Sequence, residues 1–592
     1  MRTDRVAIPA GVAATVAALA VLFYYPVWSV LVAAVYQGGR LTLAPLAEVL
    51  TDPFYTGVAH HLVTDPLGVP GGVVEWLAAG APPVRLGLFG FTAYQAALST
   101  AASVLLGLPG AYLLARFEFP GRRLLRSVTI LPFVLPSIMV AVGFLAMFGR
   151  TGLFNDLIGP LGLGPVELVG TLEIVVLAHA FYNAPLVTRL VTAAWESVDR
   201  RQVETARTMG ASPLQAFRDV VAPQLLASLA TAALMTFVFT FMTFPIVLAL
   251  GGLELATVEV WLYARVQDLD LAEAATLGTL ETVLSLGLTY AYLRYEAAQV
   301  RAGGAGESLD RTPLFDGLRS LDARRLVLLA YAGVALVVFA GPLLSLVVES
   351  VTGPDGGLTL EYYAFLLELQ RGTAAGSVRP LPAVRNSLLF GAGTLLLALP
   401  MGVLVSVVAT RGGRGSRAAE ALLSAPLAVS GIVVGLGLLQ TLVFGTELFG
   451  HRVVVTGAGA VVAAHAVAAY PFVSRNVTPA LGGLDGRLTD AARTLGASRA
   501  RALVDVELPL VAGALVAGAA FAFAISVGEF DSTVLLAEGV DSYTMPVALE
   551  RYVGNRSLGP NLGPATAMGT VLLAVTAVSF VVIDRVGGRW ER

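Results

Sequence analysis

The sequence predicts an all-α integral membrane protein with about twelve transmembrane helices, built as a tandem repeat of two six-helix units. Three observations support this fold class. The 592 residues are 56% apolar and only 13% charged, against about 25% charged residues in ordinary soluble domains. Apolar runs of about 20 residues recur along the whole chain. Residues 179–225 and 465–511 align without a gap and are identical at 20 of 47 positions.

The apolar runs place the individual spans. A helix needs about 20 residues to cross the hydrocarbon core of a bilayer. The first run, residues 6–35, is too long for the apolar part of a signal peptide and lacks a clear cleavage site, so it is interpreted as a span. The predicted spans are residues 9–36, 86–115, 125–149, 171–194, 223–249, 271–293, 326–349, 386–410, 419–444, 453–474, 509–528 and 564–584.

The arginines predict how these spans are oriented. All 38 basic residues are arginine, and a cytosolic N-terminus places 28 of them on the cytosolic side and 10 on the other. Only Lys and Arg count in the positive-inside rule. We therefore expect a multi-pass plasma-membrane protein with both termini and both copies of the repeated segment in the cytosol.

The repeat divides the chain into two domains. Residues 295–325 are polar and Gly-rich, which predicts a cytosolic linker between a first domain, 1–294, and a second, 326–592. Each domain has an even number of spans, so the two have the same orientation and are related by an axis along the membrane normal. The repeat extends further, because residues 131–144 are echoed by residues 425–438.

The composition excludes several kinds of site. Without cysteine the chain has no disulfide and no thiolate metal ligand. Without lysine it cannot carry the ATP-binding motif GxxxxGK[ST]. The five histidines suggest no metal cluster, since His60 and His61 are adjacent in a long loop and the matched pair His179 and His465 is expected to cap or pack. We expect no catalytic residues and no metal or cofactor bound by this chain.

The centre of each repeated segment predicts a short helical hairpin. In the first copy a helix through Glu204 is closed by Gly210, because glycine tolerates the left-handed geometry of a helix C-terminus. Ser212 then caps a second helix, with Gln215 completing a capping box, and Pro223 marks the return into the membrane. The second copy keeps the same pattern with Asp490, Ala492, Arg493, Gly496 and Pro509.

Side chains on this hairpin predict a docking surface. Glu204 can pair with Arg207, and Asp490 with Arg493, at a spacing of three residues. Small residues such as Ala206 and Ala492 would let a partner approach closely. One interpretation is a surface hairpin that serves only folding, but its recurrence in register favours a rigid projection presented twice to a partner.

The segment Glu204-Thr-Ala-Arg-Thr-Met-Gly210, followed by Pro223, resembles the EAA loop of ABC importer permeases, and the second copy matches with Asp490 in place of Glu. The resemblance covers essentially the whole chain as two fused type I permease domains. It implies that two loops, the first coupling loop (195–222) and the second coupling loop (475–508), contact ATPase subunits. The residues implied in coupling are Glu204, Ala206, Arg207, Gly210, Pro223, Asp490, Ala492, Arg493, Gly496 and Pro509.

The resemblance also implies the partners. Two copies of an ATPase subunit would bind ATP and Mg, a separate extracytoplasmic protein would deliver the substrate, and the bilayer would surround the chain; nucleic acid is not expected. That delivery protein would dock on the loops at 37–85, 250–270, 351–385 and 529–562. ATP-driven closure of the ATPases would rock the two halves between outward-open and inward-open states. The chain itself would be a transport subunit and not an enzyme.

The substrate is less clearly indicated. Stretches such as 148–152, 179–185 and 525–536 are similar to thiamine permeases, while ferric-iron and some phosphonate permeases share the twelve-span layout. Where span 5 has Thr243 and Pro245, span 11 has Glu529 and Asp531. Acidic groups near the membrane usually face a polar cavity, which would suit a cation. The alternative is that both carboxylates follow the end of the span and lie in external water.

Three further residues are candidates for the substrate path: Tyr182, Asn183 and Glu281. Each also has a structural interpretation, in helix packing or in pairing with a neighbouring helix. An ion-coupled secondary transporter is the alternative from a different class. It would usually need ionisable groups or broken helices at mid-membrane, whereas these spans are almost free of charge. A membrane-embedded enzyme lacks a candidate catalytic cluster.

Overall fold

The computed structural model describes residues 3–57, 60, 71, 74, 78, 86–128, 135–299, 309–314, 323–368, 378–411, 422–539, 541–553 and 562–587. Within these ranges the chain is mostly helical, and its only strands form three short two-stranded ladders. The helical content and the repeated order of long helices confirm the predicted all-α membrane fold with a tandem repeat.

The first half contains fifteen helices and three strands among the described residues. They are α1 Thr3–Leu19, continued by a π-turn at Ala20–Tyr24, α2 Tyr25–Val35, β1 Tyr36–Gln37, β2 Arg40–Leu41, α3 Ala44–Thr51, α4 Pro53–Thr56, α5 Gly87–Arg116, β3 Phe117–Glu118, α6 Arg122–Val128, α7 Ser137–Phe148, α8 Leu153–Ile158, α9 Leu172–Glu196, α10 Arg200–Thr208, α11 Pro213–Ala216, a π-turn at Phe217–Val221, α12 Ala222–Phe241, α13 Pro245–Gly251, α14 Val258–Gln267 and α15 Leu271–Gln299.

The linker and the second half repeat this order. They contain β4 Thr312–Pro313, α16 Ala323–Glu349, α17 Glu361–Glu368, α18 Pro380–Arg411, α19 Gly431–Leu438, continued by a π-turn at Leu439–Val443, β5 Thr446–Leu448, β6 His451–Val453, α20 Ala458–Gly482, α21 Gly486–Thr494, α22 Arg499–Ala502, a π-turn at Leu503–Glu507, α23 Leu508–Leu510, α24 Ala512–Gly528, α25 Thr533–Leu536, α26 Met545–Val553 and α27 Gly563–Gly587.

A helix lies in each of the twelve predicted spans. In the described part of the chain, eight helices are long and apolar enough to cross a membrane, or nine if the bent pair Arg499–Leu510 and Ala512–Gly528 counts as one span. The apolar helices at Gly431–Val443 and Gly563–Ser579 are shorter. The hydropathy pattern therefore located the spans, but it overestimated the length of several.

The fifth and eleventh spans depart from the prediction. Span 5 was expected to run to residue 249, but α12 ends at Phe241 and a new helix starts at Pro245, a residue that cannot donate the backbone hydrogen bond needed to continue a helix. Pro223 does not begin the span either, because the helical path already starts at Pro213. In the second half, by contrast, the chain bends by 83° between the helices on either side of Val511.

The first span of each half packs against the other half. Helices α1 and α2 contact α18, α19 and α22 of the second half. Helix α16, which opens the second half, contacts α5, α7 and α9 of the first. The two halves are thus interlocked by exchanged helices, an arrangement that the sequence pattern did not predict.

Two glycines at matching positions make this exchange possible. A Cβ atom on Gly143 of α7 would lie 2.7 Å from the carbonyl oxygen of Pro342 in α16. A Cβ atom on Gly437 of α19 would lie 2.5 Å from the carbonyl oxygen of Pro26 in α2. Only a residue without a side chain fits at such distances, so each exchanged helix rests directly on the backbone of the opposite half.

Candidate functional site

The coupling loops form two nearly identical helical hairpins. Helices α10 and α21 are nine residues long. Each is capped by an aspartate, Asp199 or Asp485, whose side chain accepts a hydrogen bond from the backbone N–H two residues later at 3.0 Å. These aspartates occur at matching positions in both copies, a signal that the sequence analysis did not use. They fix where each coupling helix begins.

The predicted glycine C-caps are confirmed. Gly210 has a φ angle of +94° and Gly496 one of +91°, in the region that favours glycine. The backbone N–H of Ala211 donates to the carbonyl of Ala206 at 3.0 Å, and that of Ala497 to the carbonyl of Ala492 at 3.0 Å. This closes the helix as a Schellman-type turn.

The predicted capping box is also present in the first hairpin. The backbone N–H of Gln215 donates to the Ser212 hydroxyl at 3.2 Å, and the backbone N–H of Ser212 donates to Oε1 of Gln215 at 2.8 Å. In the second hairpin the Ser498 hydroxyl accepts from the backbone N–H of Arg501 at 3.2 Å. There the residue is arginine, so the reciprocal bond is missing.

The predicted ion pairs have different outcomes in the two hairpins. Asp490 and Arg493 form the expected pair, with 3.9 Å between Nη1 and Oδ1. The prediction for Glu204 is wrong, because its Oε1 pairs with Nε of Arg200 at 2.6 Å, while Arg207 donates to the carbonyl of Ala211 at 3.4 Å. Spacings of three and four residues both bring side chains together on a helix, so the local pattern left both partners open.

An apolar side chain lies at the tip of each hairpin. Met209 is 82% exposed and Leu495 is 90% exposed, at matching positions directly before the two glycines. Ala206 and Ala492 are half-buried, and the other residues assigned to coupling, including Pro223 and Pro509, are exposed. The sequence analysis missed the two tips, although an apolar residue ending a polar helix in both copies is a visible signal. An exposed apolar tip beside small residues can enter a groove on a partner.

A cavity of about 320 Å³ lies between the two halves. It is formed where α12 and α24, the helices that follow the coupling loops, reach their far ends. Four of the five predicted path residues line it: Tyr182, Asn183, Glu529 and Asp531. Its volume is at the lower end of the range for small-molecule sites.

Two phenylalanines close the cavity on the side away from the coupling helices. Phe244 and Phe530 occupy matching positions, and their rings stack with centroids 5.6 Å apart and an angle of 17° between planes. Their exposed fractions are 0% and 1%. Because each follows the far end of a helix that starts at a coupling loop, the stack joins the two halves opposite the hairpins.

The matched histidines are buried in hydrogen-bond networks beside this cavity. In the first half, Nδ1 of His179 lies 3.0 Å from the Ser99 hydroxyl and Nε2 lies 3.1 Å from the Thr243 hydroxyl. In the second half, His465 contacts the hydroxyls of Ser526 and Thr533 at 2.7 Å each. Both are held within the helix packing, in agreement with the structural role that we predicted.

The two acidic residues of the cavity differ in their surroundings. Glu529 has Nε2 of His465 at 3.2 Å and accepts hydrogen bonds from the backbone and hydroxyl groups of Ser532 and Thr533. Asp531 lines the same cavity, and its carboxylate has no hydrogen-bond partner among the described residues. The cavity therefore offers one carboxylate that is fully engaged and one that is available.

Of the other three path residues, Tyr182 and Asn183 form hydrogen bonds that belong to the helix packing, and Glu281 is buried away from the cavity. The Tyr182 hydroxyl donates to the carbonyl of Leu135 at 3.0 Å, and Nδ2 of Asn183 donates to the carbonyl of His179 at 3.0 Å. Glu281 does not line the cavity. It is 1% exposed, lies beside Glu259 and Ser430 and interacts electrostatically with Asp531.

Comparison with known proteins agrees with this architecture. The family model described as "Binding-protein-dependent transport system inner membrane component" matches residues 104–294 and again residues 398–592. The thiamine transport system permease protein ThiP of Escherichia coli (strain K12) is 28% identical over 528 residues, which cover 87% of this chain and 91% of that protein. ThiP of Brucella abortus (strain 2308) is 28% identical over 495 residues, 83% of this chain and 86% of that protein.

A partial relative has a different named substrate. PhnU of Salmonella choleraesuis (strain SC-B67), whose name refers to 2-aminoethylphosphonate transport, is 30% identical over 209 residues, 35% of this chain and 72% of that protein. Two matches of one family model, together with the apolar helices, identify a multi-pass permease of the inner membrane and not an enzyme. The chain belongs to the family of binding-protein-dependent transport system inner membrane components, and it carries the family's domain twice in tandem.

Proposed function

We propose that this chain is the complete transmembrane part of an ATP-driven importer and that it passes a small organic cation, thiamine in the first place. In this proposal two ATPase subunits dock on the coupling helices and an extracytoplasmic binding protein delivers the substrate. The names of the full-length relatives support thiamine. ATP and Mg are held by the ATPase subunits, since the chain has no lysine for the common phosphate-binding motif.

The observation that carries the proposal is the available carboxylate of Asp531 in the cavity between the halves. A carboxylate away from bulk water is unfavourable unless a positive charge accompanies it. A cation entering the cavity supplies that charge, whereas Glu529 already has its own donors. Phe244 and Phe530 add aromatic surface, which attracts organic cations through the ring faces.

The coupling helices give the proposed route for energy. Met209 and Leu495 project from the two hairpins, and a partner that grips both can move the halves relative to each other. The stacked phenylalanines at the opposite side lie on the same two halves. Closure of the ATPases would thus separate or join the rings and alternate access to the cavity.

The delivery protein is proposed to dock on the face opposite the coupling helices. The described residues of the candidate loops at 37–85, 250–270 and 351–385 adjoin helix ends that do not lead into the coupling loops. Residues 529–536 of the fourth candidate loop are mostly buried around the cavity, because the chain folds inward there before α26. Docking on that loop is therefore proposed for its later residues only.

Reconstitution tests the energy source. The permease, its ATPase and its binding protein are placed in liposomes, and uptake of labelled thiamine is measured with ATP alone and with an ion gradient alone. We expect uptake only with ATP. Uptake that follows the gradient and ignores ATP would instead identify a secondary transporter.

The substitution Asp531→Asn tests the cation site in the same liposomes. Loss of this cavity carboxylate should lower thiamine uptake at least about tenfold, equivalent to about 1.4 kcal/mol, with the ATPase still bound. Asp156→Asn, at an exposed position outside the coupling loops and the candidate docking loops, is the matched control and should transport normally. Equal uptake by Asp531→Asn and the control would reject the cation site. Stronger transport of 2-aminoethylphosphonate or ferric iron than of thiamine would reject the substrate.

A further inference from the structure

A central segment of the linker, residues 309–314, is bound to the first half. Strand β4 pairs in parallel with β3, and the backbone N–H of Leu314 donates to the carbonyl of Glu118 at 2.9 Å. Leu314 is 5% exposed and packs with Leu113 and Phe117. This segment of the predicted linker is a fixed part of the fold. The exchange of α16 explains its position, because the linker must lead to a helix that packs on the first half.

Asp310 connects the linker to the first coupling helix. Its carboxylate forms an ion pair with Nη1 of Arg200, and its carbonyl accepts from Nη1 of Arg116 at 3.0 Å. Arg200 is the first residue of α10, and its Nε holds Glu204 one turn later at 2.6 Å. A continuous chain of charges therefore runs from the linker into the coupling helix.

A second contact ties the linker to the base of the same loop. The Oε1 atom of Glu196, the last residue of α9, accepts hydrogen bonds from Nη2 of Arg311 and from Nη2 of Arg122, each at 2.9 Å. Arg126 approaches the other carboxylate oxygen at 3.3 Å. The loop between α9 and α10 is thus held at its base through Glu196 and at its far side through Arg200.

The second coupling loop lacks both attachment points. With the 286-residue offset of the repeat, Arg200 corresponds to Gly486 and Glu196 to Gly482. Neither glycine has a side chain that could form an ion pair with a linker residue. That loop has other supports: Glu507 accepts from the Thr489 hydroxyl at 2.9 Å and pairs with Arg411, and α1 of the first half packs on α22.

We propose that residues 309–314 are part of the first coupling site, so that one ATPase subunit docks on a composite surface of linker and α10 while the other docks on α21 alone. Isolated helices shorter than about 12 residues are marginal in water, and α10 has nine. External support therefore decides how rigidly it transmits force. Asp310 is a positioning residue in this arrangement, which rests on the proposed coupling function.

Amide hydrogen exchange on the purified permease tests the clamp without any partner. In Asp310→Asn the amides of α10 should exchange about two to five times faster, since exposed ion pairs contribute about 0.2–1 kcal/mol. The amides of α21 should not change, which makes the second loop an internal control. Asp505→Asn, at an exposed acid within the second coupling loop but outside α21, should alter neither helix. Unchanged exchange in α10, or equal acceleration in both helices, would overturn the proposal.

Cross-linking tests the composite docking surface. The natural chain has no cysteine, so Met209→Cys and Leu495→Cys each give a single reactive site. With the ATPase bound, Asp310→Asn should lower the cross-linking yield at position 209 by a factor of about two to five and leave position 495 unchanged. Equal yields at both positions with and without Asp310→Asn would reject the docking role. Absence of cross-linking at both positions in the parent would reject the coupling function itself, while the exchange experiment still decides on the clamp.

Discussion

His179 and His465 occupy matching positions with unequal neighbours, and this inequality predicts unequal stability effects. His179 contacts two hydroxyl groups, whereas His465 also lies 3.2 Å from the buried carboxylate of Glu529. Replacement by alanine removes the same volume at both sites. His465→Ala should therefore lower the free energy of unfolding by about 1–3 kcal/mol more than His179→Ala, because it removes one of the groups that contact the buried carboxylate of Glu529. Denaturation in detergent measures the difference.

The double variant His465→Ala with Glu529→Gln separates this cause from simple loss of packing. Neutralising the carboxylate should recover a large part of the additional destabilisation. If both histidine variants lose the same stability, or if the second substitution recovers nothing, the pairing of His465 with Glu529 makes no net contribution.

Glu281 and Glu259 form a buried pair of acidic side chains that should reduce the stability of the fold. All four of their carboxylate oxygens are buried, and the two carboxyl groups lie within reach of each other and of Ser430, with no other donor near them among the described residues. An amide at position 281 would supply a donor. We expect Glu281→Gln to raise the free energy of unfolding by about 1–3 kcal/mol, measured by thermal unfolding, while Glu281→Ala lowers it by leaving a void. A lower stability for Glu281→Gln would show that the acidic pair has support elsewhere.

The second coupling helix, α21, has two glycines whose backbone conformations differ, so the same substitution should have opposite effects on its stability. Gly496 has φ of +91° and Gly486, at the start of the same helix, has an ordinary φ; a Cβ atom on either would meet no other atom within 4 Å. Only backbone conformation therefore distinguishes them. Gly496→Ala should destabilise α21 by about 1–2 kcal/mol, and Gly486→Ala should stabilise it by about 0.4–1 kcal/mol. Amide hydrogen exchange of α21 measures both stability changes. If the two variants change the stability of the helix in the same direction, the backbone explanation is wrong.

The elements show which features a sequence contains locally. The spans, the glycine C-caps and the Ser212 capping box depend on residues within a few positions of each other, and all could be predicted. The partner of Glu204 could not, because Arg200 and Arg207 are both within reach on a helix. Neither could the docked linker, since Asp310 meets Arg200 across 110 positions of the chain.

At the scale of the whole molecule, the exchanged first spans change the meaning of the two domains. Hydropathy describes each helix separately and contains no information on which helices pack together. Division at residues 295–325 follows the sequence repeat, whereas the helix contacts join the two halves into one packed unit. Helices α1 and α2 complete the second half, and α16 completes the first.

This interlocking predicts the behaviour of a split chain. Fragments 1–304 and 305–592 should each be unstable when produced alone. The first lacks α16, which packs on α7, and the second lacks α1 and α2, which pack on α18 and α19. Produced together, they should co-purify as a stable complex, since the exchanged helices bury apolar surface across both halves. Affinity capture through a tag on one fragment, followed by size-exclusion chromatography, measures this.

A substitution where α19 crosses α2 then tests whether the exchanged helices hold the two fragments together. Gly437→Leu should sharply reduce recovery of the complex, because its side chain would collide with the backbone of Pro26, 2.5 Å from the position of the Cβ atom. Gly287→Leu is the control, since a Cβ atom there meets nothing within 4 Å. Two fragments that remain separate and monodisperse, or a complex that tolerates Gly437→Leu as well as Gly287→Leu, would show that the halves associate by a different surface. A complex lost only with Gly437→Leu would instead place the contact between the halves at the exchanged helices.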